Sequence, residues 1–491
     1  MPPEDPIVII GSGIGGLTAA IILAKLGHRV TVVEKNKLPG GLMRSYTRKG
    51  IECEVGIHYM GALDKGQPLR QIFDFIGVSD RIPLTRMGED GVVDKYILPG
   101  MEFDFPASID RYGENLREAF PDEGRQIAAI IAVLHDAIGR FDSMSIFLKG
   151  ETNFDFAREL RPAGDYFNEL GCSLGLRSIL SVPLSLIGVG PDECPVYLWS
   201  SSVSSYLMSS WRLTRGGAHM ADTFAERLRE LGGEIICNDG VSKILVQNRA
   251  VRGVALKSGR ELVSPTIISA IHPKLMLGLL SDDSYKPSFK NRILSLQETP
   301  GIFATHVAVP EDELPLRPYN IFILNEAADK YEVVTFLNMK KSPEPGWNTL
   351  SILGGSPYEQ WRTWEHTTRG QRPREYKEAK AREAAVLFDR ALKLFGPLHR
   401  ARVVDSFTPL SFVDWMGSPE GGAYGVRRST TQKFKTAALH RTPLTGLHAV
   451  GQSVFAPGIL GTALGTLRVL APLVGYETLR QKFIDSGIEG I

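Results

Sequence analysis

The chain has few cysteines, almost no net charge and no long uninterrupted apolar run. Its four cysteines lie far apart and form no CxxC pair, which argues against a structural zinc site or a disulfide framework. The 56 Lys and Arg residues nearly balance the 55 Asp and Glu residues, so no overall field attracts nucleic acid. The composition therefore predicts reduced thiols in a cytoplasmic protein, no metal site and no nucleic-acid partner.

We expect neither a secretory leader peptide nor a membrane span. Residues 1–6 are acidic where a secretory leader would be basic. The apolar stretches 178–190 and 454–475 are interrupted by Gly and Pro, and the second contains Arg468. We therefore expect any contact with a membrane to be peripheral.

The N-terminal segment contains one complete βαβ unit. Residues 7–10 form an apolar run typical of a strand buried on both faces, and this run leads directly into a glycine-rich turn. A helix over residues 17–26 follows, and then a second strand over residues 30–33 that ends at Glu34. This order predicts an α/β domain of the Rossmann type.

The glycine-rich turn predicts a dinucleotide site. Gly11 allows the tight turn, Gly13 lets backbone amides approach a pyrophosphate, and Gly16 lets the helix pack on the sheet. Glu34 is placed to accept hydrogen bonds from ribose hydroxyls, and its charge disfavours NADP. NAD and FAD share this fingerprint, so the turn alone leaves both open. The turn residues predicted to contact the cofactor are Gly11, Ser12, Gly13, Ile14, Gly15 and Gly16.

Later segments predict how the domains are arranged. Residues 216–270 have the pattern of a helix with short strands, and residues 301–353 alternate like the strands of a sheet. A charged helix over 375–395 and a Gly-rich helix that ends near 474 follow. We predict a discontinuous Rossmann-like cofactor domain with an inserted α+β substrate domain built on a mixed sheet. The predicted cofactor domain comprises 1–86, 212–300 and 402–491, and the substrate domain comprises 87–211 and 301–401.

Three further segments carry a resemblance to a known family. With the fingerprint, they resemble the carotenoid-desaturase branch of the amine-oxidase-like flavoproteins, which includes phytoene desaturases, carotene isomerases and retinol saturases. The retinol saturases are the most similar, because of the stretch 56–59 and the stretch 417–425. The region from about 87 to 211 shows little similarity. The segments that carry the resemblance are Gly40-Gly41, Gly56-Ile57-His58-Tyr59 and Gly451-Gln452 with Gly461-Thr462-Ala463.

The resemblance implies FAD as the cofactor, with the helix that opens at Gly461 aimed at the flavin ring. Glu54 stands where the family usually has Asp, and Gln452 stands where many members have an acid. Both substitutions keep a hydrogen-bonding side chain, so we still expect FAD. The residues that the family places along this cofactor are Lys35, Gly40, Gly41, Leu42, Arg44, Gly56, Ile57, His58, Val241, Ala270, Gly451, Gln452, Gly461, Thr462 and Ala463.

The reaction implied by the resemblance is hydride transfer at a carbon-carbon double bond of an apolar polyene, isoprenoid or other lipid-like substrate. Such a reaction also needs a group that moves a proton. His58 and Tyr59 are candidates because the family places the preceding segment beside the cofactor, and Tyr424 is a third. The alternative for His58 is a hydrogen-bonded core histidine, and we expect His306 to be structural. No nucleophilic triad is required, since a flavin carries the hydride chemistry itself.

A group of aromatic residues, Trp199, Tyr206, Met208 and Trp211, has two interpretations. It lines an apolar substrate channel or, as is more usual for aromatic residues in a large domain, it belongs to the core.

Other functions remain open from the sequence. A flavin isomerase would shift double bonds without net turnover of electrons, and the mass of the product distinguishes it from a saturase or desaturase. Escort proteins of prenylated GTPases share the fold and bind lipid without flavin chemistry, although the intact C-terminal segment disfavours that hypothesis. An amine-oxidase or porphyrinogen-oxidase activity is a further enzymatic alternative. No second dinucleotide fingerprint is visible, so we expect no dedicated NADPH domain.

Overall fold

The computed structural model describes residues 5–142, 156–327 and 330–488. Parts of the predicted domains, at 1–4, 143–155, 328–329 and 489–491, lie outside the described residues. The described helices are α1 (Ile14–Lys25), α2 (Pro68–Ile76), α3 (Ile109–Ala119), α4 (Gly124–Asp142), α5 (Phe156–Glu159), α6 (Ala163–Glu169), α7 (Leu174–Ser181), α8 (Val196–Met208), α9 (Gly216–Glu230), α10 (Pro273–Gly278), α11 (Pro287–Leu294), α12 (Arg374–Phe395), α13 (Pro409–Met416), α14 (Lys433–Thr436), α15 (Gly458–Val474) and α16 (Tyr476–Asp485).

The described strands are β1 (Ile7–Ile10), β2 (Val30–Val33), β3 (Tyr46–Arg48), β4 (Ile51–Cys53), β5 (Met60–Gly61), β6 (Leu84–Arg86), β7 (Asp94–Leu98), β8 (Met101–Phe105), β9 (Ser210–Leu213), β10 (Glu234–Ile236), β11 (Val241–Gln247), β12 (Ala250–Leu256), β13 (Glu261–Val263), β14 (Thr266–Ser269), β15 (Gly301–Pro310), β16 (Asn320–Ala327), β17 (Lys330–Lys341), β18 (Trp347–Ser356), β19 (Arg402–Phe407) and β20 (Leu447–Ala449).

A five-stranded parallel sheet forms the centre of the cofactor domain. Its strand order is β10-β2-β1-β14-β20, and every neighbouring pair is parallel. The chain winds outward from β1 in both directions, so the order of the strands reverses between β1 and β14. Ligands of such sheets bind outside the carboxyl ends of the strands at this switch point. The predicted Rossmann-like fold is confirmed.

The first strand and helix are buried as their sequence predicts. All four residues of β1 are buried, because the strand lies in the middle of the sheet. Helix α1 is apolar nearly all round, which is typical of a helix covered on several sides. Helices α9 and α15 pack against it and bury its residues from Gly15 to Leu23.

A seven-stranded mixed sheet forms the second domain. Its order is β19-β15-β18-β17-β16-β7-β8, with β7 and β16 parallel and the other neighbours antiparallel. Helix α12 covers one face, and α4, α7 and α8 contribute to the apolar core on the other. The predicted mixed sheet is confirmed.

Two predicted boundaries differ from the structure. Strand β19 pairs with β15 at the edge of the mixed sheet, although the predicted boundary places residues from 402 in the cofactor domain. A short alternating segment does not reveal which sheet it joins, because that depends on its partner strand. Helix α15 begins at Gly458 rather than at Gly461, with Pro457 as its N-cap residue.

No single helix among the residues that the structure describes is long and apolar enough to cross a membrane. Helices α15 and α16 meet that test of length and composition only when taken together, and they are bent by 116° where they join.

Candidate functional site

The predicted cofactor segments meet at the glycine-rich turn after β1. A Cβ atom on Gly41 would lie 3.0 Å from the Cα of Gly13, and one on Gly15 would lie 3.0 Å from the Cα of Gly451. The backbone therefore approaches the turn from two distant parts of the chain. Because β14 and β20 follow β1 in the sheet, Ala270 also lies beside this turn, at the end of β14.

The N-terminus of α1 has the properties of an anion site. Gly13 is the N-cap residue, no side chain caps the helix, and its first turn contains no acidic residue. A Cβ on Gly13 would meet no atom within 4 Å, whereas one on Gly16 would overlap the carbonyl oxygen of Gly11. The space beside Gly13 is therefore open, and the N–H groups of an uncapped first turn are donors that suit a pyrophosphate.

Glu34 is buried at the end of β2 and is already oriented by the protein. One of its oxygens accepts hydrogen bonds from the N–H and the hydroxyl of Ser12, and the other accepts from the N–H of Asn36 at 2.8 Å. A carboxylate has about four acceptor positions, so one remains for a ribose hydroxyl. Ser12 has no exposed surface and also accepts from the N–H of Gly40 at 3.1 Å. Ser12 therefore positions Glu34 and the Gly40 segment.

Glu34 also marks the side of the site where an adenosine would lie. The N–H of Asp239 donates to the backbone carbonyl of Glu34 at 3.3 Å, and a Cβ on Gly240 would lie 3.1 Å from the Cβ of Lys35. Val241 follows directly at the start of β11. The segment before β11 thus lies against Glu34 and Lys35.

Arg44 is held by other residues of the cofactor domain. Its Nε donates to the carbonyl oxygen of Pro39 at 2.9 Å, and its Nη2 forms an ion pair with Asp222 of α9. The guanidinium therefore holds the Gly40-Gly41 stretch against α9.

The predicted cofactor contacts divide into two groups by exposure. The predicted contacts that keep exposed surface, called the predicted cofactor groove from here on, are Gly11, Gly13, Ile14, Lys35, Gly41, Leu42, Arg44, Gly56, His58, Ala270, Gly451, Gln452 and Gly461. The residues that lie buried behind them are Ser12, Gly15, Gly16, Glu34, Gly40, Ile57, Val241, Thr462 and Ala463.

Two of the buried residues illustrate a supporting role. Ala463 has no exposed surface and packs in the core that α1 shares with α15. The Thr462 hydroxyl donates to the carbonyl oxygen of Ala456 at 3.4 Å. Both side chains therefore lie in the core and support the exposed residues of the predicted cofactor groove.

His58 lies where the cofactor domain meets the mixed sheet. Its ring contacts Phe336 edge to face, with 5.3 Å between ring centroids. Its Nδ1 is buried and accepts or donates no hydrogen bond among the described residues. Burial, together with the positive charge of Lys340, lowers the pKa of His58 to about 3. His58 is therefore a neutral imidazole at physiological pH, and it cannot act there as a cationic acid.

Tyr59 is buried and turned toward the substrate domain. Its hydroxyl donates to Oδ2 of Asp94 at 2.8 Å, and its ring packs against that of Tyr206 at a tilt of 31°, with 4.6 Å between centroids. Burial and the neighbouring charge of Asp94 raise the pKa of Tyr59 well above its usual value. The phenol proton of Tyr59 is thus held by Asp94.

A buried polar network continues from Asp94. Asn320 donates to Oδ1 of Asp94 at 2.7 Å, and the Oδ1 of Asn320 accepts from Arg212 at 2.9 Å and from Asn338 at 2.7 Å. Burial raises the pKa of Asp94 to about 6 and lowers the pKa of Arg212 to about 10. This network joins β9 to the mixed sheet.

A buried ion pair makes a second connection between the domains. Lys340 Nζ lies 2.6 Å from Oε1 of Glu54, and the side chain of Glu54 is only 3% exposed. Phe336, Asn338 and Lys340 are alternate residues of β17 and therefore lie on one face of the sheet. They contact His58, Asn320 and Glu54 respectively.

The sequence analysis missed Asp94, Arg212, Asn320, Asn338 and Lys340. One available indication was the pair Asn338 and Lys340, two polar residues that alternate with the apolar residues Leu337 and Met339. Their partners could not be named from sequence.

Tyr424 lies in the segment that contacts Gln452. Its backbone N–H donates to Thr299 Oγ1 at 3.0 Å, and its neighbour Ala423 accepts a hydrogen bond from Gln452 at 3.4 Å. No hydrogen bond to the Tyr424 hydroxyl occurs among the described residues. Burial raises the pKa of Tyr424 to about 12, so the phenol keeps its proton at neutral pH.

The remaining candidates have structural surroundings. His306 is fully buried in β15, and its Nδ1 lies 2.9 Å from the Ser351 hydroxyl, which agrees with a structural role. Trp199 is fully buried and donates to the carbonyl oxygen of Leu180 at 2.8 Å. Trp211 donates to Asp64 at 2.9 Å. These two tryptophans therefore pack as parts of the framework.

Two cavities lie outside the cofactor groove. One, of about 550 Å³, is open to solvent beside α6 and is lined in part by Arg161 and Thr430. The other, of about 430 Å³, lies in the substrate domain beside α7. None of the residues lining either cavity is among those predicted to contact the cofactor.

Comparison with known proteins agrees with this geometry. Residues 9–76 match the NAD(P)-binding Rossmann-like domain family. The chain is 25% identical to all-trans-retinol 13,14-reductase of Rattus norvegicus over an alignment that covers 95% of this chain and 85% of that protein. It is 23% identical to chloroplastic prolycopene isomerase of Arabidopsis thaliana, with 99% and 85% of the two chains covered.

A solved structure supports the fold. Cyclohexylamine oxidase of Brevibacterium oxydans IH-35A superposes with a TM-score of 0.62 at 18% identity, with 98% of this chain and 99% of that chain covered. The similarity to the reductase and the isomerase extends over nearly the whole chain, including the substrate domain. The predicted resemblance to the amine-oxidase-like flavoproteins that include the phytoene desaturases, carotene isomerases and retinol saturases is therefore confirmed over nearly the whole chain.

Proposed function

We propose that the protein is an FAD-dependent oxidoreductase that saturates or desaturates carbon-carbon double bonds of an apolar polyene or isoprenoid. One observation carries the proposal. His58 follows Gly56 and Ile57, which are predicted to contact the cofactor, and its ring lies against Phe336 of the apolar cluster in the substrate domain. A cofactor held by that segment would therefore lie beside apolar side chains of the substrate domain. When bound, FAD supplies the hydride chemistry.

The residues of the groove fit FAD. The uncapped first turn of α1 provides N–H donors for the pyrophosphate, and the remaining acceptor position of Glu34 suits a ribose hydroxyl. Gly451 and Gln452 lie at the end of β20, on the far side of the turn from Glu34. They would contact the ribityl and flavin part of the cofactor.

Four side chains would assist the reaction in different ways. We assign Tyr424 as the proton donor, because its hydroxyl is protonated at neutral pH and has no partner among the described residues. His58 would orient the cofactor or substrate as a neutral hydrogen-bonding group. Tyr59 would be a positioning residue, because its hydroxyl already donates a hydrogen bond to Asp94. Phe336 would help exclude water from the reacting bond.

The similarity to a protein named all-trans-retinol 13,14-reductase supports saturation of a polyene as the direction of the reaction. The similarity to a protein named prolycopene isomerase supports the redox-neutral isomerase as the second candidate.

The test begins with purified protein. Mass spectrometry of the small molecules released on denaturation should find FAD. The reduced protein is then incubated without oxygen with all-trans-retinol, and the products are separated and weighed. A product heavier by two hydrogen atoms supports a saturase, and an unchanged mass with a changed retention time identifies an isomerase. A colourless protein that releases no flavin rules out both enzymes and returns the lipid escort as the explanation.

A further inference from the structure

Phe434 is the most exposed large apolar residue in the part of the chain that the structure describes, with 86% of its surface open to solvent. It lies in α14 between Lys433 and Lys435. Leu294, the last residue of α11, is 52% exposed. The Nζ of Lys435 donates to the carbonyl oxygen of Ser295 at 3.5 Å, so the two helices meet at the surface. Leu294, Lys433, Phe434 and Lys435 together form the Phe434 patch.

Buried polar side chains hold the backbone on both sides of Phe434. Gln432 is 3% exposed, and its Oε1 accepts a hydrogen bond from the N–H of Gln297 at 2.8 Å. Arg428 is 6% exposed and donates to the carbonyl oxygen of Thr436 at 3.2 Å. The segment is therefore fixed, and the fold holds the Phe434 ring outward.

The charges of the patch are positive and available. Lys433 and Lys435 form no ion pair with any residue that the structure describes. Glu193 is an acid beside this segment, since its backbone carbonyl accepts from the N–H of Thr430 at 2.8 Å. Its carboxylate is already paired with Arg427 at 3.2 Å. An anionic surface would thus attract both lysines without displacing an ion pair.

A cavity adjoins the patch. It is the cavity of about 550 Å³ beside α6, and Lys433 lines it together with Arg161, Thr430 and Thr431. None of its described lining residues is acidic. Arg161 is held there by an ion pair with Glu169 at 2.5 Å. Ammonium, guanidinium and hydroxyl groups are the donors that suit phosphate oxygens, so the cavity offers a place for a phosphate at the edge of the patch.

The features of the patch fit a lipid surface better than a protein partner. A stable protein interface buries about 800 Å² on each partner around a continuous apolar core. The patch instead presents one aromatic ring and one leucine beside lysines. Aromatic side chains enter a bilayer at the level of the headgroups, while neighbouring cations stay at the lipid phosphates. Single aromatic and aliphatic side chains between cations are therefore suited to a bilayer.

We propose that the Phe434 patch docks the protein on an anionic phospholipid surface, with the ring of Phe434 among the headgroups and the cations of Lys433 and Arg161 at lipid phosphates. The inference concerns an interaction surface and does not depend on the proposed reaction. Docking would hold the protein beside the phase in which an apolar polyene dissolves.

Flotation of the purified protein with lipid vesicles tests the proposal. One preparation contains phosphatidylcholine mixed with phosphatidylglycerol, and the other contains phosphatidylcholine alone. Each cation near an anionic surface contributes about fivefold, so the protein should bind the mixed vesicles at least about tenfold more tightly. Added salt should weaken this preference, because it screens exposed charges.

Two sets of variants separate the apolar and the charged contributions. Phe434→Ser should weaken binding to both kinds of vesicle about tenfold or more, because the phenyl ring no longer leaves water. The double variant Arg161→Gln with Lys433→Gln should weaken binding to the mixed vesicles about tenfold or more and leave binding to phosphatidylcholine little changed.

Matched controls change similar residues on other elements. Val263→Ser removes an apolar side chain of β13 that is 77% exposed. Lys243→Gln with Lys377→Gln removes two charges from exposed lysines of β11 and α12. Both controls should float with the vesicles as the wild type does. Circular dichroism and flavin content check that every variant is folded.

Insertion of the ring is measured directly with brominated phosphatidylcholine in the mixed vesicles. It should quench the fluorescence that Phe434→Trp adds to the wild-type signal, and it should leave the fluorescence that Val263→Trp adds unchanged. Equal quenching of the two variants, or none in Phe434→Trp, overturns the insertion of this residue.

Three further results would overturn the proposal. They are equal binding of the wild type to both kinds of vesicle, unchanged binding of Phe434→Ser, and a loss in the controls as large as that in the patch variants. Size-exclusion chromatography tests a different occupant. A wild-type protein that grows in size with concentration, together with a Phe434→Ser protein that stays monomeric, identifies a second copy of the chain as the partner and overturns the lipid surface.

Discussion

Lys340 and Glu54 form an ion pair at 2.6 Å that joins strand β17 of the mixed sheet to the segment leading to His58. Both side chains are largely buried, at 14% and 3% exposure. Removing one partner of such a pair leaves an uncompensated buried charge and costs about 3–5 kcal/mol. We expect Lys340→Met to lower the free energy of unfolding by about that amount at neutral pH, as measured by urea denaturation.

The pH dependence of this variant follows from Glu54. Burial raises the pKa of Glu54, and loss of the Lys340 charge would raise it further. A buried carboxyl without its ion-pair partner destabilises the folded protein least when it is protonated. The loss of unfolding free energy in Lys340→Met should therefore shrink as the pH falls. Lys341→Met is the control, because Lys341 is 72% exposed and should change stability little. The double variant Lys340→Met with Glu54→Gln should recover part of the loss. No recovery would contradict a charge effect.

Glu34→Gln tests the ribose end of the groove. The amide can replace only part of the acceptor capacity that Ser12 and Asn36 use, so little remains for a ribose hydroxyl. Hydrogen bonds to a charged group contribute about 1.5–3 kcal/mol, which corresponds to at least a tenfold weaker binding of FAD. Titration of the flavin-free protein with FAD measures this change. Glu234→Gln, an exposed glutamate on neighbouring β10, should bind FAD as the wild type does.

The cofactor domain was predictable because its features are local in sequence. The apolar run 7–10, the glycines that follow it and Glu34 all belong to one βαβ unit, so their order determines the turn and the helix that face the ligand. It was harder to predict from sequence which residues of the cofactor segments keep exposed surface. Ala463 and Gly461 are two residues apart, yet only Gly461 keeps exposed surface, because the packing of α15 on α1 decides which side is covered.

The contacts between the domains could not be predicted from sequence. Lys340 and Glu54 are 286 residues apart, and Asn320 and Asp94 are 226 apart. Such pairs arise from the parallel pairing of β7 with β16 and the docking of β17 on the cofactor segment, and neither leaves a local pattern. The alternation of residues in β17 does indicate which face is polar, but the partner on the other side depends on the assembled fold.

Asp94 should make stability depend on pH between about 4 and 6. Burial raises the pKa of Asp94 from 3.8 to about 6 in the folded protein, so the folded state binds its proton more strongly than the unfolded state. Its contribution is therefore fully present below the unfolded pKa and is lost as the pH rises through 6. Between pH 5 and pH 7.5 the loss amounts to about 1–2 kcal/mol.

Comparison of the wild type with Asp94→Asn isolates this contribution, because the variant cannot titrate at this position. The difference in unfolding free energy between the two proteins should shift in favour of the variant by that amount when the pH is raised from 5 to 7.5. Asp122→Asn, which changes an exposed aspartate, is the control. A constant difference between wild type and Asp94→Asn would contradict the raised pKa.

Tyr424→Phe tests which group moves the proton. A positioned general acid contributes about 10²–10⁴-fold to a rate, so we expect kcat to fall about 100-fold or more, with KM and the flavin spectrum little changed. Tyr59→Phe breaks the hydrogen bond to Asp94 and should lower stability, while kcat falls much less, because its proton is already held. His58→Gln should alter substrate or cofactor binding without removing an inflection near pH 6.5, because His58 stays neutral there. Solvent deuterium provides the decisive readout: an isotope effect on kcat in the wild type that persists in Tyr59→Phe but disappears or changes in Tyr424→Phe identifies Tyr424 as the donor. If Tyr424→Phe keeps the wild-type kcat, another group or water donates the proton.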